Sequence, residues 1–255
     1  MKGFAVWATI DPLLHRNYQA IMYSIHDIER SYSHIVTDYV DSLYSYHWSR
    51  KFEYPWVIKQ ISTVEDLKQK TILDLGGGVT PIQFILSGYV KEYINIDINP
   101  AVNKQIEQVN KESSLYNNII VLNIDIGKKL PFENDSFDIV MSISAIEHVI
   151  APLNVQVDEM LRVLKPGGKL ILTIDVTDIR NGIFNVNREI FENLCRYLKI
   201  DVPPREMNIL HSMQTLDGYI VSPFLDVNVN DGTTEEPVRE QIVVPIYIGC
   251  IVLVK

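Results

Sequence analysis

The sequence predicts an α/β fold: a doubly wound, mostly parallel sheet with helices on its faces. Three observations predict it. Short apolar runs that read as strands alternate with helical patterns through the middle of the chain. One run, Ile72 to Leu75, leads at once into Gly76-Gly77-Gly78 and then Thr80-Pro81. That spells strand, tight turn and helix start, with Thr80 as N-cap and Pro81 at the first helical position, where its missing N–H costs nothing. Finally, an aspartate closes four of the first five strand-like runs, at 74, 97, 125 and 175. The carboxyl edge of a parallel sheet is where ligands bind.

The chain has 255 residues, enough for one sizeable α/β domain with an appendage. Its apolar share of 47% can fill a core, and no repeat or low-complexity tract interrupts it. The first apolar stretch stops at Asp11, so neither a signal peptide nor a spanning helix is expected. Cys195 and Cys250 sit among apolar residues and read as buried thiols of a reducing, cytoplasmic compartment. A net charge of −9 offers no footing for phosphate backbones, so a nucleic-acid partner is not expected and a small-molecule ligand is.

Taken in order, Asp11-Pro12 reads as a cap and first helical position. Ile21, Ile25, Ile28, Tyr32, Ile35, Tyr39 and Leu43 then recur at steps of three and four, an amphipathic stripe. An aromatic and charged stretch follows, Tyr44 to Ile58. Residues 1–68 are therefore expected to form an N-terminal helical cap, and 69–255 the main domain. Within the cap, Arg50, Glu53 and Tyr54 are candidates for the wall of a ligand site. The glycine turn lets a ligand lie against bare peptide groups. Pro81 to Ser87 is a helix ended by Gly88, and Tyr93 to Ile96 a strand closed by Asp97. Asp97 stands 19 residues after Gly78, the spacing of an acid that holds ribose hydroxyls. Asn99-Pro100 opens a helix, Ile119 to Ile124 is a strand closed by Asp125, and Phe137 to Ile143 another that leads into Ser144-Ala145-Ile146-Glu147-His148. Pro152 to Leu164 is a helix stopped by Lys165-Pro166-Gly167-Gly168, and Lys169 to Ile174 a strand closed by Asp175. Asn187 caps a helix over Ile190 to Leu198. A strand is expected within Asn208 to Val221, then an acidic loop through Asp231, Glu235 and Glu236, and a last strand near Ile246 to Val254.

These residues carry a resemblance. DLGGG at Asp74 to Gly78 resembles the first motif of class I methyltransferases dependent on S-adenosylmethionine, and IDINP at Ile96 to Pro100 their ribose strand. Asn123 to Val149 is similar to the adenine loop and fourth strand of the subgroup acting mostly on small molecules. Met160 to Leu172 resembles its helix–turn–strand marker. The resemblance covers about Thr71 to Val176. It implies a Rossmann-like, seven-stranded sheet with the last strand antiparallel, which a final hairpin in IYIGCIVLVK would fit. The family often has a further glycine where this chain has Thr80, whose capping role is expected to compensate.

The resemblance also implies roles. Gly76, Gly77 and Gly78 would lie beside the methionine part of the cofactor, Asp74 near its amino group, and Asp97 on the ribose hydroxyls with Ile98 next to it. Asp125 and Ile126 look like the adenine contacts, and Ser142 and Ser144 end a strand beneath the cofactor. Arg50 and Tyr54 are counted with the cofactor wall. His148 is a candidate general base for a hydroxyl nucleophile, because imidazole titrates near working pH. No cysteine, histidine and carboxylate spacing suggests a metal site.

The expected function is methyl transfer from S-adenosylmethionine to a small-molecule acceptor by in-line displacement, with S-adenosylhomocysteine as product. Neither a membrane nor nucleic acid is expected as partner, and monomer and homodimer both stand. A nicotinamide dehydrogenase is disfavoured because Pro81 occupies the last glycine position of its fingerprint. Methyltransferases of base amines carry a Pro-Pro-aromatic motif where this chain has Ser142-Ile143-Ser144-Ala145, and no Pro-Cys dipeptide supports cytosine-carbon chemistry. A peptide or protein acceptor, and a cofactor-binding scaffold without turnover, remain as alternatives.

Overall fold

The computed structural model describes residues 1–7, 50–112, 118–177, 186–202, 224–229, 238–243 and 246–255. The apolar stripe from Ile21 to Leu43, the strand expected within 208–221 and the acidic loop at 231–236 lie outside the described residues.

Nine strands and five α-helices are described: β1 Lys2–Trp7, α1 Arg50–Ser62, β2 Thr71–Leu75, α2 Pro81–Ser87, β3 Glu92–Asp97, α3 Pro100–Glu112, β4 Ile119–Asn123, β5 Phe137–Ile143, α4 Leu153–Val163, β6 Leu164–Thr177, α5 Arg188–Tyr197, β7 Phe224–Val229, β8 Val238–Val243 and β9 Ile246–Val254. Seven of the strands form one sheet in the order β1-β9-β6-β5-β2-β3-β4, and β7 and β8 pair separately. β2 to β6 run parallel, and β9 lies antiparallel between β6 and β1. The last strand is thus the antiparallel one. It is a single run from Ile246 to Val254, not half of a hairpin within its own sequence. Its second partner is β1, so residues 2–7, expected in the helical cap, are an edge strand of the main sheet.

Alternation within the strands splits the core in two. Leu73, Leu75, Ile94, Ile96, Val140, Leu170, Leu172 and Ile174 face α4 and α5 through Val157, Met160, Phe191 and Leu194. Ile72, Tyr93, Ile139, Met141 and Ile171 face α1, α2 and α3 through Val57, Ile61, Ile82, Phe84 and Ile106. Helices cover both faces, which explains why the strands read as near-continuous apolar runs. Lys169 Nζ donates to Gln60 O at 2.9 Å and fastens the end of α1 to β6.

Local signals mostly act as read. Pro81 stands in the first turn of α2, and Asn187 Oδ1 accepts the Ile190 N–H at 2.9 Å as the cap of α5. Thr80 holds the extended N-cap backbone, but its side chain makes no capping hydrogen bond. Lys165-Pro166-Gly167-Gly168 does not separate helix from strand. β6 starts at Leu164 and takes these residues up as an irregularity against β5, where Phe137 faces Leu164 and Ile139 faces Lys169. Gly167 adopts φ +76° there. Asp175 likewise lies inside β6, opposite Ile248. Both cysteines are buried thiols; burial pushes Cys195 up to about 11 and raises Cys250 further from reactivity. Among the described residues no helix is long and apolar enough to cross a membrane.

Candidate functional site

β2 lies beside β3 on one flank and β5 on the other, and the chain turns away from its tip through Gly76 to Gly78. Gly76 and Gly78 adopt φ +68° and +55°, the left-handed region that glycine enters freely. The turn is crowded as well as left-handed. A Cβ on Gly76 would meet the Ala145 methyl at 2.6 Å, and one on Gly77 would strike the Asp74 carboxylate. Gly76 N–H donates to Ile96 O at 2.8 Å, and Gly78 O accepts from Asn95 Nδ2 at 2.7 Å. Asn95 in turn donates to Gln83 Oε1 at 2.7 Å, so β3 and α2 brace the turn from behind.

A cavity of about 680 Å³ opens on this turn. That is the size of a drug- or cofactor-sized pocket. On one side it is lined by Asp97, Ile98, Asp125, Ile126, Gly127 and Lys128, at the tips of β3 and β4. On the other it is lined by Tyr54, Ser144, Ala145, His148, Val149 and Ile150, from α1 and the segment after β5. Asp74, the three glycines, Thr80, Ile82 and Val102 close the middle.

Eleven of the candidate site residues singled out in the sequence therefore line one cavity: Tyr54, Asp74, Gly76, Gly77, Gly78, Asp97, Ile98, Asp125, Ile126, Ser144 and His148. Ser142 does not line it. Its Oγ is buried and donates to Leu75 O at 3.0 Å, tying β5 to β2 beneath the turn. Arg50 opens α1, and its side chain lies outside the described residues.

Asp97 is half-buried. Its Oδ2 accepts the Gly78 N–H at 3.1 Å and its Oδ1 the Asn99 N–H at 2.8 Å. Asp125 accepts the Gly127 N–H at 2.9 Å and pairs with Lys128 at 3.2 Å. Those two contacts, the backbone one first, hold its carboxyl below the usual carboxylate range. Lys128 thus belongs to the cavity wall. The loop carrying them is pinned from α4. Arg162 donates to Phe132 O at 2.8 Å and Leu130 O at 3.1 Å while gripping Glu159, and Glu159 accepts the Leu130 N–H at 2.7 Å.

Two polar layers lie under the cavity floor. In the first, Tyr93 Oη donates to Asp74 Oδ2 at 2.6 Å, and burial followed by the Asp74 charge raises the Tyr93 phenol. In the second, Ser144 and Thr173 hydroxyls both donate to Glu53 Oε1 at 2.5 Å. Asp175 N–H donates to Glu147 Oε1 at 2.7 Å. Burial, then Asp175 and Glu53, push the Glu147 carboxyl well above its ordinary value. Tyr93 and Thr173 escaped the sequence reading because each looks like an ordinary strand residue; their partners sit on other strands or on α1. Among the described residues no three histidine, cysteine or carboxylate side chains are placed so as to hold a metal ion.

Residues 73–172 match the family model of a methyltransferase domain. The uncharacterized methyltransferase YcgJ of Bacillus subtilis is 30% identical over 112 residues, which are 44% of this chain and 43% of that protein. A malonyl-acyl-carrier-protein O-methyltransferase of Marinomonas sp. is 27% identical over 166 residues, 61% of this chain and 60% of that one. The chain thus spans less than half of the first relative and less than two thirds of the second. Among solved structures, the 4+2 cyclase SpnF superposes with a TM-score of 0.51 at 17% identity, over 75% of this chain and 74% of that chain. That likeness speaks for the fold alone. Residues 73–172 thus match a methyltransferase domain, and the sheet order and the glycine turn are in keeping with that match.

Proposed function

We propose that this protein transfers a methyl group from S-adenosylmethionine to a small-molecule acceptor. The single observation that carries this reading is the common cavity, which brings the glycine turn together with Asp97 and Asp125. The donor set fits the cofactor. Asp97 and Asp125 are acceptors for ribose hydroxyls and for an exocyclic amine, and Ile98 and Ile126 offer apolar flanks to a ring. Thr80 Oγ1 is buried at the turn with no hydrogen-bond partner among the described residues, although Thr80 lines the cavity. A buried hydroxyl of that kind is costly unless a ligand meets it, and a ligand's amino or carboxylate group would do so.

When bound, S-adenosylmethionine supplies a methyl group already activated on a sulfonium. What the protein contributes is position and exclusion of water. Tyr54, Ala145, Val149 and Ile150 form an apolar wall, and His148 stands on that wall as the group to take a proton from the nucleophile. Holding two reactants in line is worth roughly 7–11 kcal/mol in favourable cases, more than the 10²–10⁴-fold typical of a general base.

Calorimetric titration of the purified protein with S-adenosylmethionine and S-adenosylhomocysteine tests this reading. Binding of both, followed by transfer of labelled methyl to a small molecule, is expected. A folded protein that binds neither removes it, and binding without transfer to any acceptor favours a scaffold.

A further inference from the structure

Resting on the methyltransferase reading, we propose that the acceptor is a hydrogen-bond donor, an amine or a hydroxyl, seated on the side-chain oxygen of Ser144. Sheet order divides the cavity. Asp97 and Asp125 stand at the tips of β3 and β4, on one flank of the glycine turn, and suit a nucleoside. The flank beyond β5 is left for the acceptor, and Ser144 lines it.

Ser144 is held in an unusual way. It follows the last residue of β5 with φ +43°, a region that residues other than glycine, asparagine and aspartate rarely enter. Its N–H donates to Thr173 O at 3.0 Å. Its hydroxyl proton is directed at Glu53 Oε1, 2.5 Å away, with Asp175 Oδ1 at 3.4 Å. A serine hydroxyl has one proton and two lone pairs. Because Thr173 donates to the same Glu53 oxygen, that carboxylate is fixed as an acceptor between two hydroxyls. Toward the cavity Ser144 therefore offers lone pairs alone. An amine or hydroxyl can donate to it. A carboxylate or carbonyl would set lone pair against lone pair, with Glu53 and Asp175 behind.

The layer under Ser144 is built rather than incidental. Glu53, Glu147, Thr173 and Asp175 are all at most 4% exposed. Glu147 Oε2 has no hydrogen-bond partner among the described residues, an arrangement that packing alone does not favour. The strained backbone and the buried acids together mark this flank as functional.

The test uses the full chain loaded with S-adenosylhomocysteine and three probes of matched size: benzylamine, benzyl alcohol and benzoate. Binding is read by ligand-observed magnetic resonance, and labelled-methyl transfer is then measured over amines, alcohols, phenols and carboxylates. The amine or the alcohol is expected to bind in preference to benzoate, and transfer to go to that class. Ser144→Gly suits the backbone and removes the oxygen. It should weaken the favoured probe by about tenfold, the worth of one hydrogen bond, while S-adenosylhomocysteine affinity stays within about twofold. Glu53→Gln, a second variant, should weaken benzylamine more than benzyl alcohol if the acceptor is an amine, and both alike if it is a hydroxyl. Preference for benzoate, transfer to carboxylates alone, or unchanged probe binding in Ser144→Gly overturns the acceptor class and leaves the methyltransferase reading intact. Loss of cofactor binding in the wild type removes both.

Discussion

Under the proposed function Asp97 has two tasks, and they need different lone pairs. Its two oxygens each accept one backbone N–H, from Gly78 and Asn99. A carboxylate has about four acceptor sites, so two remain for a vicinal diol. Asp97→Asn keeps the shape but removes the charge and an acceptor. We expect S-adenosylmethionine affinity to drop by about 10–100-fold, with circular dichroism unchanged, since a charge-assisted bond contributes roughly 1.5–3 kcal/mol. Wild-type affinity in that variant would end the ribose assignment. Tyr93 acts one layer deeper. Tyr93→Phe takes the phenol proton from Asp74, which is 1% exposed, and leaves that carboxylate short of a donor. The expected cost is about 1–3 kcal/mol in urea denaturation, with a parallel loss of cofactor affinity. A variant as stable as the wild type would show Asp74 to be satisfied otherwise. If His148 is the base, His148→Asn lowers kcat by about 10²-fold or more and leaves cofactor affinity alone. A kcat within a few-fold would reduce it to a wall residue.

At the scale of elements, the loop after β4 has no regular structure of its own and depends on Arg162. That side chain reaches two carbonyls, Asn134 and Glu159 from a single guanidinium fork. Arg162→Lys keeps the charge but cannot span those partners. We expect it to behave like Arg162→Ala, with faster hydrogen exchange at Leu130 and weaker cofactor binding through Asp125. Rescue by lysine would argue for charge alone. The same scale shows what could be read from the sequence. β2, the glycine turn and Pro81 are adjacent in the chain, so their signals are local and legible. β1 was not legible, because its partner among the described residues is β9, at the opposite end of the chain, and no local pattern reports a pairing of that span. Ser142 and Ser144 sit two apart, which on a continuing strand would put them on one face. The strand ends at Ile143 and Ser144 turns left-handed, so parity fails: one serine braces β2 and the other lines the cavity. Tyr93 reads as core, and it is core. Its hydroxyl meets Asp74 on the neighbouring strand β2, a contact that the local sequence of β3 does not report.

For the whole molecule, the consequence of gathering acids under one edge of the sheet is a particular dependence of stability on pH. Glu147 is fully buried, and burial, then Asp175 and Glu53, raise its carboxyl well above the ordinary value. The unfolded chain releases that proton in the usual carboxylate range, near pH 4.3 or so, whereas the folded chain holds it to higher pH. Between those two values the folded state binds the extra proton, so stability decreases as pH rises through the window. Asp125 has the opposite sign. Its lowered carboxyl, held by the Gly127 N–H and then Lys128, adds stability above the usual range that is lost as pH falls. It is solvent-accessible and screened, so the Glu147 contribution should dominate. Melting temperature is therefore expected to decline as pH rises above the ordinary carboxylate range, by about 2–4 °C for each kcal/mol lost. Glu147→Gln retains an acceptor for the Asp175 N–H while removing the titrating group. Its melting curve should be flatter than that of the wild type across the neutral and alkaline range, and the two should converge in acid, where both side chains are neutral. Parallel curves for the two proteins would place the pH dependence elsewhere in the molecule.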